Sequence, residues 1–100
     1  MNALHIDYLE WDDCNVEHIA EHGIDVKEVE WVCYAEQLVV RRAGVTRYGL
    51  PRYHAYGPTK GGRYWFIVLD REAAGHFYPV TAREMTDGER QRFRRARGQP

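Results

Sequence analysis

The sequence predicts an α+β domain with an antiparallel sheet of four or five strands, two N-terminal helices and one C-terminal helix. The first observation is the order of the patterns, which runs β-α-α-β-β-β-β-α and favours helices packed on one face of the sheet. The second is the near-continuous apolar run RYWFIVLD, which is typical of a central strand covered on both faces. The third is the chain length of 100 residues, which suits a single domain over residues 1–100.

The N-terminal third predicts one short strand and two helices. The segment LHIDYLEW is the strand, and helical spacing follows from about Asp13 to His22, with Gly23 as the stop signal. The second helix begins in IDVKEVEWVCY, where Asp25 and Glu28 have the spacing of a capping box. The predicted apolar stripes are Val16, Ile19 and Ala20 in the first helix, and Val26, Val29 and Val32 or Cys33 in the second.

Two strands joined through a turn are predicted next. The segment QLVVRR is a strand, AGVTRYGLP is a turn, and RYHAYG is the following strand. Because strand side chains alternate, this last segment has two faces. Tyr53, Ala55 and Gly57 share one face, and Arg52, His54 and Tyr56 share the other.

The last part of the chain predicts a hairpin, an irregular strand and a helix. Lys60-Gly61-Gly62 closes the hairpin before RYWFIVLD, in which Trp65, Ile67 and Leu69 face one side and Phe66 and Val68 the other. Pro79 in HFYPVTA cannot donate to a ladder, so that strand is an edge or carries a bulge. Thr86 and Glu89 form a second capping-box pattern, which starts a helix reaching roughly Arg97.

The charges divide the chain into an acidic and a basic part. Residues 1–36 hold ten acids and one base, a net charge of −9, whereas residues 37–100 hold thirteen bases and five acids, a net charge of +8. Twelve of the fourteen bases are arginine, whose planar fork matches phosphate geometry. This asymmetry predicts a polyanion-binding face, although the five arginines between residues 90 and 97 also fit a solvated helix face.

Other function classes find little support. No segment has the length of a membrane span, and the start MNALHIDYLE is acidic where a secretory signal is basic. Cys14 and Cys33 are too few for a disulfide framework and form no CxxC pair. We therefore expect a cytoplasmic protein with reduced thiols and no metal or other cofactor.

Three segments together resemble the BrnT family of bacterial toxins. They are LEWDDCNVEHIAEHGI, RYHAYGPTKGGRYWFIVLDRE and VTAREMTDGERQRF, which contain the patterns W-D-x-x-N, H-G and A-R-x-x-T-x-x-E-R-x-x-F. The resemblance implies a RelE-like fold, endoribonuclease activity on RNA and a type II toxin–antitoxin system. It also implies an antitoxin with a ribbon-helix-helix DNA-binding domain, so that operator DNA is bound only through the antitoxin.

Three features depart from the family pattern, and one of them is Tyr78-Pro79-Val80 in place of an uninterrupted aliphatic strand. Many members carry lysine directly before the asparagine of the first motif, where this chain has Cys14 before Asn15. The position after Arg83 is often basic in the family, and here it is Glu84. A second interpretation therefore stays open, in which the chain is a catalytically inactive family member that acts as a partner-binding or co-repressor module.

Metal-independent RNA cleavage needs a base for the 2′-hydroxyl, cations around the phosphorus and an acid for the leaving oxygen. Histidine suits proton transfer near neutral pH, so His22 and His54 are the candidates, with a helix-end role and a surface role as their alternatives. Arg83 is the main candidate for phosphate, since it precedes a capped helix whose N-terminus favours anions. Its alternative is an ion pair with an acid of the N-terminal part, and Arg63 is the second cationic candidate.

Further residues are expected to contact RNA outside the catalytic group. The cationic candidates are Arg52, Lys60, Arg90 and Arg94. Tyrosines on an exposed sheet face can stack on bases, although aromatic residues at strand spacing are more often packing residues. The candidates for stacking are Tyr53, Tyr56, Tyr64 and Tyr78.

Overall fold

The computed structural model describes residues 4–98 and confirms the predicted order of elements. The elements are β1 (Tyr8–Leu9), α1 (Asp13–Ala20), α2 (Val26–Tyr34), β2 (Val39–Val45), β3 (Pro51–Pro58), β4 (Tyr64–Ala73), β5 (His76–Glu84) and α3 (Asp87–Ala96). Strand β2 extends into the predicted turn, since its pairing with β3 continues past a register shift between Arg42 and Gly44. In residues 4–98, the helices are too short or too polar to cross a bilayer.

The sheet has five strands in the order β1-β5-β4-β3-β2. The prediction of an antiparallel sheet is wrong for one pair, because β1 runs parallel to β5 through Tyr8↔His76 and Leu9↔Phe77. All other neighbouring strands are antiparallel. Two helices and three strands separate β1 from β5 along the chain, so no short hairpin turn dictates their relative direction. The fold is therefore α+β with a mixed sheet.

Helices cover both faces of the sheet, which corrects the expectation of a single helical layer. Trp65, Ile67 and Leu69 belong to the larger core, which α1 and α2 close with Ile19, Val29, Val32 and Cys33. We call this side the α2 face. Phe66 and Val68 belong to a smaller core with Met85 and Phe93, and we call this side the α3 face. Since β4 is apolar on both faces, α3 is needed on the second face to keep Phe66 from water.

Helix α1 differs from its predicted stripe. Ile19 is buried, but Val16 and Ala20 are exposed, and the other inward residue is Asn15. The Asn15 Nδ2 donates to the Glu10 and Pro79 carbonyl oxygens, both at 3.0 Å. Asn15 and Ile19 are four residues apart and so share the helix stripe that faces the sheet. The asparagine of the first motif thus anchors α1 to β5.

Pro79 lies in a β-bulge, which is one of the two alternatives that the sequence predicted. The register with β4 shifts between Val68 and Leu69, so that Thr81 and Pro79 are their partners and Val80 is the additional residue. The other alternative is wrong, because β5 lies between β1 and β4 rather than at an edge. The pairing of β5 with β1 ends at Phe77. No residue of β1 therefore requires a backbone hydrogen bond from position 79, which proline could not donate.

Candidate functional site

The α3 face places an imidazole and a guanidinium on one aromatic ring. Phe66 on β4 pairs with Arg83 on β5, and the Arg83 Cζ lies 4.1 Å from the centroid of the Phe66 ring. His54 on β3 contacts the same ring, with the two ring centroids 4.8 Å apart. The alternation of side chains along three neighbouring strands produces this cluster, so two of the predicted catalytic candidates, His54 and Arg83, contact the same ring.

The Arg83 guanidinium is already paired. Its Nη1 donates to Glu89 Oε1 at 2.8 Å and its Nη2 donates to Glu89 Oε2 at 2.9 Å. Arg83 Nη1 also donates to the Glu84 carbonyl oxygen. The partner is therefore an acid of α3 and not one of the N-terminal acids that were considered. A phosphate that used both terminal nitrogens would have to displace Glu89.

Glu89 also closes the N-terminus of α3, as its capping-box pattern predicted. The Thr86 backbone N–H donates to Glu89 Oε1 at 2.9 Å, and the Glu89 backbone N–H donates to Thr86 Oγ1 at 3.2 Å. The hydrogen bonds from Arg83 lower the pKa of Glu89 to about 2, against the effect of its burial. Glu89 is consequently a carboxylate at any physiological pH and cannot serve as a proton donor.

His54 lies in a partly buried and cationic environment. Burial lowers its pKa first, the charge of Arg52 lowers it further and that of Arg83 adds to this, while the Glu89 carboxylate raises it. The imidazole is therefore neutral at pH 7, which is the state that a general base requires.

Tyr56 extends the site towards α3. A cavity of about 20 Å³ lies beside it, with room for roughly one water molecule. Burial raises the pKa of Tyr56, and the Glu89 carboxylate raises it further. The phenol is therefore protonated at neutral pH and able to donate. The lining residues of the cavity are Val39, Arg41, Tyr56, Glu89, Arg92, Phe93 and Ala96.

Arg52 lies on the same face as His54, but its guanidinium is engaged. Its Nε donates to Asp70 Oδ1 at 2.7 Å and its Nη2 donates to Asp70 Oδ2 at 3.0 Å. These hydrogen bonds raise the pKa of Arg52. Arg52 thus contributes positive potential next to His54, while Asp70 occupies the donors that RNA would need.

Three predicted site residues lie elsewhere. His22 follows α1 and contacts the ring of His18, with centroids 5.6 Å apart. Arg63 lies over the ring of Trp65, a residue of the α2-face core, and its Nη1 is 3.8 Å from Glu28 Oε2. The third residue is Lys60, whose Nζ is 5.6 Å from the Trp31 ring centroid on α2. These side chains are not brought together with His54, because the sheet lies between them and the α3 face.

The remaining candidates divide between the faces. Arg90 lies over the Tyr64 ring at 4.7 Å on the α3 side, and Arg94 is half-buried on the same helix. Tyr53 contacts Phe77 in the α2-face core, so it is a packing residue. The Tyr78 hydroxyl donates to the Asp12 carboxylate at 3.0 Å. Of the tyrosines proposed for stacking, Tyr56 and Tyr64 lie on the α3 face.

Sequence reasoning missed three contributors to this site. Arg41 pairs with His54 across β2 and β3, two residues after Val39 on the same face. Arg92 belongs with Glu89, Phe93 and Ala96, which share one helix stripe at spacings of three and four residues. That spacing was a usable signal for Arg92. The pairing of Glu89 with Arg83 had no signal in the sequence, because it depends on how α3 packs back onto the sheet.

Comparison of the chain with protein-family models and with curated proteins gives no match. The likeness to BrnT toxins therefore remains a prediction from the three motif segments.

Proposed function

We propose that this protein is a metal-independent endoribonuclease and the toxin of a type II toxin–antitoxin system, related to the BrnT and RelE-like toxins. The observation that carries the proposal is that a neutral His54 and a cationic Arg83 share the Phe66 ring on the α3 face. A base and a cation are two of the three groups that phosphodiester cleavage without a metal requires. The net charge of +8 on residues 37–100 supports a polyanionic substrate.

The chemistry follows from the protonation states. Neutral His54 accepts the proton of a ribose 2′-hydroxyl, and the 2′-oxygen attacks the adjacent phosphorus. Charge that builds on the phosphoryl oxygens is stabilised by Arg83, with Arg41 and Arg92 adding positive potential. The phenol of Tyr56 donates a proton to the departing 5′-oxygen. The products are a 2′,3′-cyclic phosphate and a 5′-hydroxyl, and no external oxidant or metal is consumed.

Glu89 has a positioning role in this scheme. Its two hydrogen bonds fix the plane of the Arg83 guanidinium over Phe66. Because the side chain is already ordered, it loses less conformational entropy when a phosphate binds. Arg83 then acts on the phosphate through charge, or through its donors after Glu89 has moved.

The test is cleavage of a mixed-sequence RNA by the purified chain in EDTA, with analysis of product ends. His54→Gln and Arg83→Gln should each reduce the rate by about a hundredfold or more. His22→Gln and Arg63→Gln are matched controls from outside the site and should cleave like wild type. Equal loss in all four variants, or 3′-hydroxyl product ends, would contradict the assignment.

The second candidate is a catalytically inactive partner-binding or co-repressor module. The observation in its favour is a surface on α2 where Trp31 is 49% and Tyr34 is 51% exposed. These residues lie one helical turn apart, with Lys27, Glu30 and Ala35 around the same concave surface. Exposed neighbouring aromatic residues are typical of protein interfaces. In this scheme the ribbon-helix-helix antitoxin binds there and makes all contacts with operator DNA.

Co-expression with the neighbouring reading frame distinguishes the two candidates. A toxin arrests growth when expressed alone and is rescued by the partner, and Arg83→Gln abolishes the arrest. A pure binding module is harmless alone, and Trp31→Ala weakens the complex without changing growth.

A further inference from the structure

Three potential metal ligands meet where β1 ends beside the β4–β5 hairpin. Glu10 follows β1, Glu72 lies near the end of β4, and His76 is the first residue of β5. The His76 Nε2 is 2.8 Å from Glu10 Oε1 and 3.7 Å from Glu72 Oε1. One ligand atom from each residue lies within 4.8 Å of the other two.

This spacing matches the coordination shell of a small cation. Zinc binds carboxylate oxygen and imidazole nitrogen at about 2.0–2.1 Å, which sets neighbouring ligand atoms of a tetrahedral site about 3.3 Å apart. The two distances from His76 bracket that value. The ligand atoms of Glu10 and Glu72 lie within 4.8 Å of one another, so closure around a metal needs side-chain shifts of at most about 1.5 Å. Imidazole nitrogen and carboxylate oxygen are both zinc ligands, and three protein ligands leave the fourth position of a tetrahedral site open to water.

The backbone that carries the ligands is fixed without a metal. The Glu10 N–H donates to the Phe77 carbonyl oxygen at 2.9 Å, and the Tyr8 N–H donates to the Gly75 carbonyl oxygen at 3.0 Å. The Tyr8 ring also meets the His76 ring edge-on, with centroids 4.9 Å apart. The imidazole is therefore held in place from one side while its Nε2 faces the two carboxylates. Preorganisation of this kind lowers the entropic cost of metal binding.

The charges of the cluster favour a cation. Two of the three ligands are carboxylates, and their ligand atoms lie within 4.8 Å of one another. Two carboxylates that crowd one another lose this repulsion when a divalent ion lies between them.

We propose that Glu10, Glu72 and His76 form a binding site for a divalent transition metal of the zinc type. The metal takes the place of the contact between His76 Nε2 and Glu10 Oε1. Since the ligands come from the ends of β1, β4 and β5, the metal clamps the two-residue strand β1 to the hairpin. The site lies outside the catalytic cluster and is independent of RNA cleavage in EDTA.

The test is calorimetric titration of the full chain with zinc chloride after dialysis against EDTA and then buffer. We expect saturable binding of one zinc ion and a melting temperature that rises with zinc concentration. His76→Gln and Glu72→Gln should weaken binding by more than about tenfold, since even outer-shell changes cost that much. Cobalt(II) should give the intense visible absorption of a tetrahedral site.

Other exposed ligands supply matched controls. His5 lies 2.8 Å from Asp7, and His18 lies 3.9 Å from Glu21, so each pair resembles part of the cluster. His5→Gln, His18→Gln and Cys14→Ser should leave zinc affinity within about twofold of wild type. Absence of saturable binding, or retention of full affinity in His76→Gln, would overturn the proposal. So would a melting temperature that drops in His76→Gln while that of wild type does not respond to zinc, since the cluster is then an ion pair only.

Discussion

Arg83 and Glu89 are joined by two parallel hydrogen bonds of 2.8 and 2.9 Å, and the same carboxylate accepts the Thr86 N–H at the start of α3. The end of β5 and the first turn of α3 therefore share one buried anion. Because the pair lies over Phe66, the geometry of the candidate site and the packing of α3 depend on the same contacts. This coupling has consequences for stability and for activity.

Glu89 makes stability sensitive to acid. Its pKa is about 2 in the folded chain, below the ordinary value of 4.5, so its contribution is complete above about pH 5 and is lost as the pH falls from 4.5 towards 2. The shift corresponds to about 3 kcal/mol of unfolding free energy. Urea unfolding between pH 6 and pH 2 should show this additional loss in wild type and not in Glu89→Gln.

The exposed neighbour Glu84 provides the control for that experiment. Glu84→Gln should follow the wild-type pH profile. Parallel profiles for wild type and Glu89→Gln would show that Arg83 does not hold the carboxylate in its ionised form.

Arg83 should matter more for RNA cleavage than the arginine cluster of residues 90–97. Arg83→Ala removes the cation that our proposal assigns to the reacting phosphate and should slow cleavage by about a hundredfold. In that cluster, Arg90 stacks on Tyr64 and the Arg97 Nη1 donates to the Glu36 carbonyl oxygen, so part of it has a structural role. Neutralising all five arginines as glutamine should weaken RNA binding and flatten its salt dependence. Cleavage should be slowed less than by Arg83→Ala, because Arg92 contributes only positive potential.

Circular dichroism and the melting temperature must accompany this comparison, because Arg83→Ala also leaves Glu89 without its partner. Arg83→Lys keeps the charge and is the folded reference. If the variant with five glutamines is inactive while Arg83→Ala cleaves at the wild-type rate, the chemistry takes place on α3 and not at Arg83.

Gly57 permits the close approach of α2 to β3. A Cβ at this position would lie 3.0 Å from Val32 Cγ1, on a side chain fixed in the buried core. Gly57→Ala should therefore reduce the unfolding free energy by about 1–3 kcal/mol. Gly61→Ala is the matched control, since its nearest contact is Thr59 Oγ1 at 3.8 Å. In a double-mutant cycle, Val32→Ala should relieve part of the Gly57→Ala cost, and strictly additive losses would argue against the contact.

The two thiols should react differently with alkylating reagents. Cys14 is exposed, whereas burial raises the pKa of Cys33 to about 12 and the charge of Glu30 adds to this. Since the thiolate is the nucleophile, iodoacetamide at pH 8 should label Cys14 in the native protein and Cys33 only after unfolding in urea. Peptide mass spectrometry measures both sites, and fast native labelling of Cys33 would refute its burial.

Amide exchange should be slowest in the middle of β4. This strand is central in the sheet, and residues 65–69 are buried by cores on both faces. Edge strands β1 and β2 should exchange faster under the same conditions. Rapid exchange across residues 64–69 in hydrogen–deuterium mass spectrometry would contradict the strand assignment.

Local features of this fold were predictable because they depend on residues close in the chain. The capping boxes at Asp25–Glu28 and Thr86–Glu89 need only a spacing of three residues. The two faces of β3 and β4 follow from strand alternation, which is why His54 and Arg52 were correctly placed together and Trp65 was correctly placed in the core. Pro79 predicted either an edge strand or a bulge, because proline has no N–H to donate to a ladder, and the bulge is the alternative that was correct.

Only the tertiary structure decided which residues from distant parts of the chain are neighbours. The direction of β1, the position of α3 on the second face and the pairing of Arg83 with Glu89 depend on strand order and register. The contacts that stabilise these features join segments far apart in the chain, so no local spacing of residues predicts them. His22 and Arg63 were grouped with His54 by residue type, but the sheet and α2 keep them on another side. The sequence determined the candidate residues, and packing against Phe66 decided that His54 and Arg83 contact the same ring.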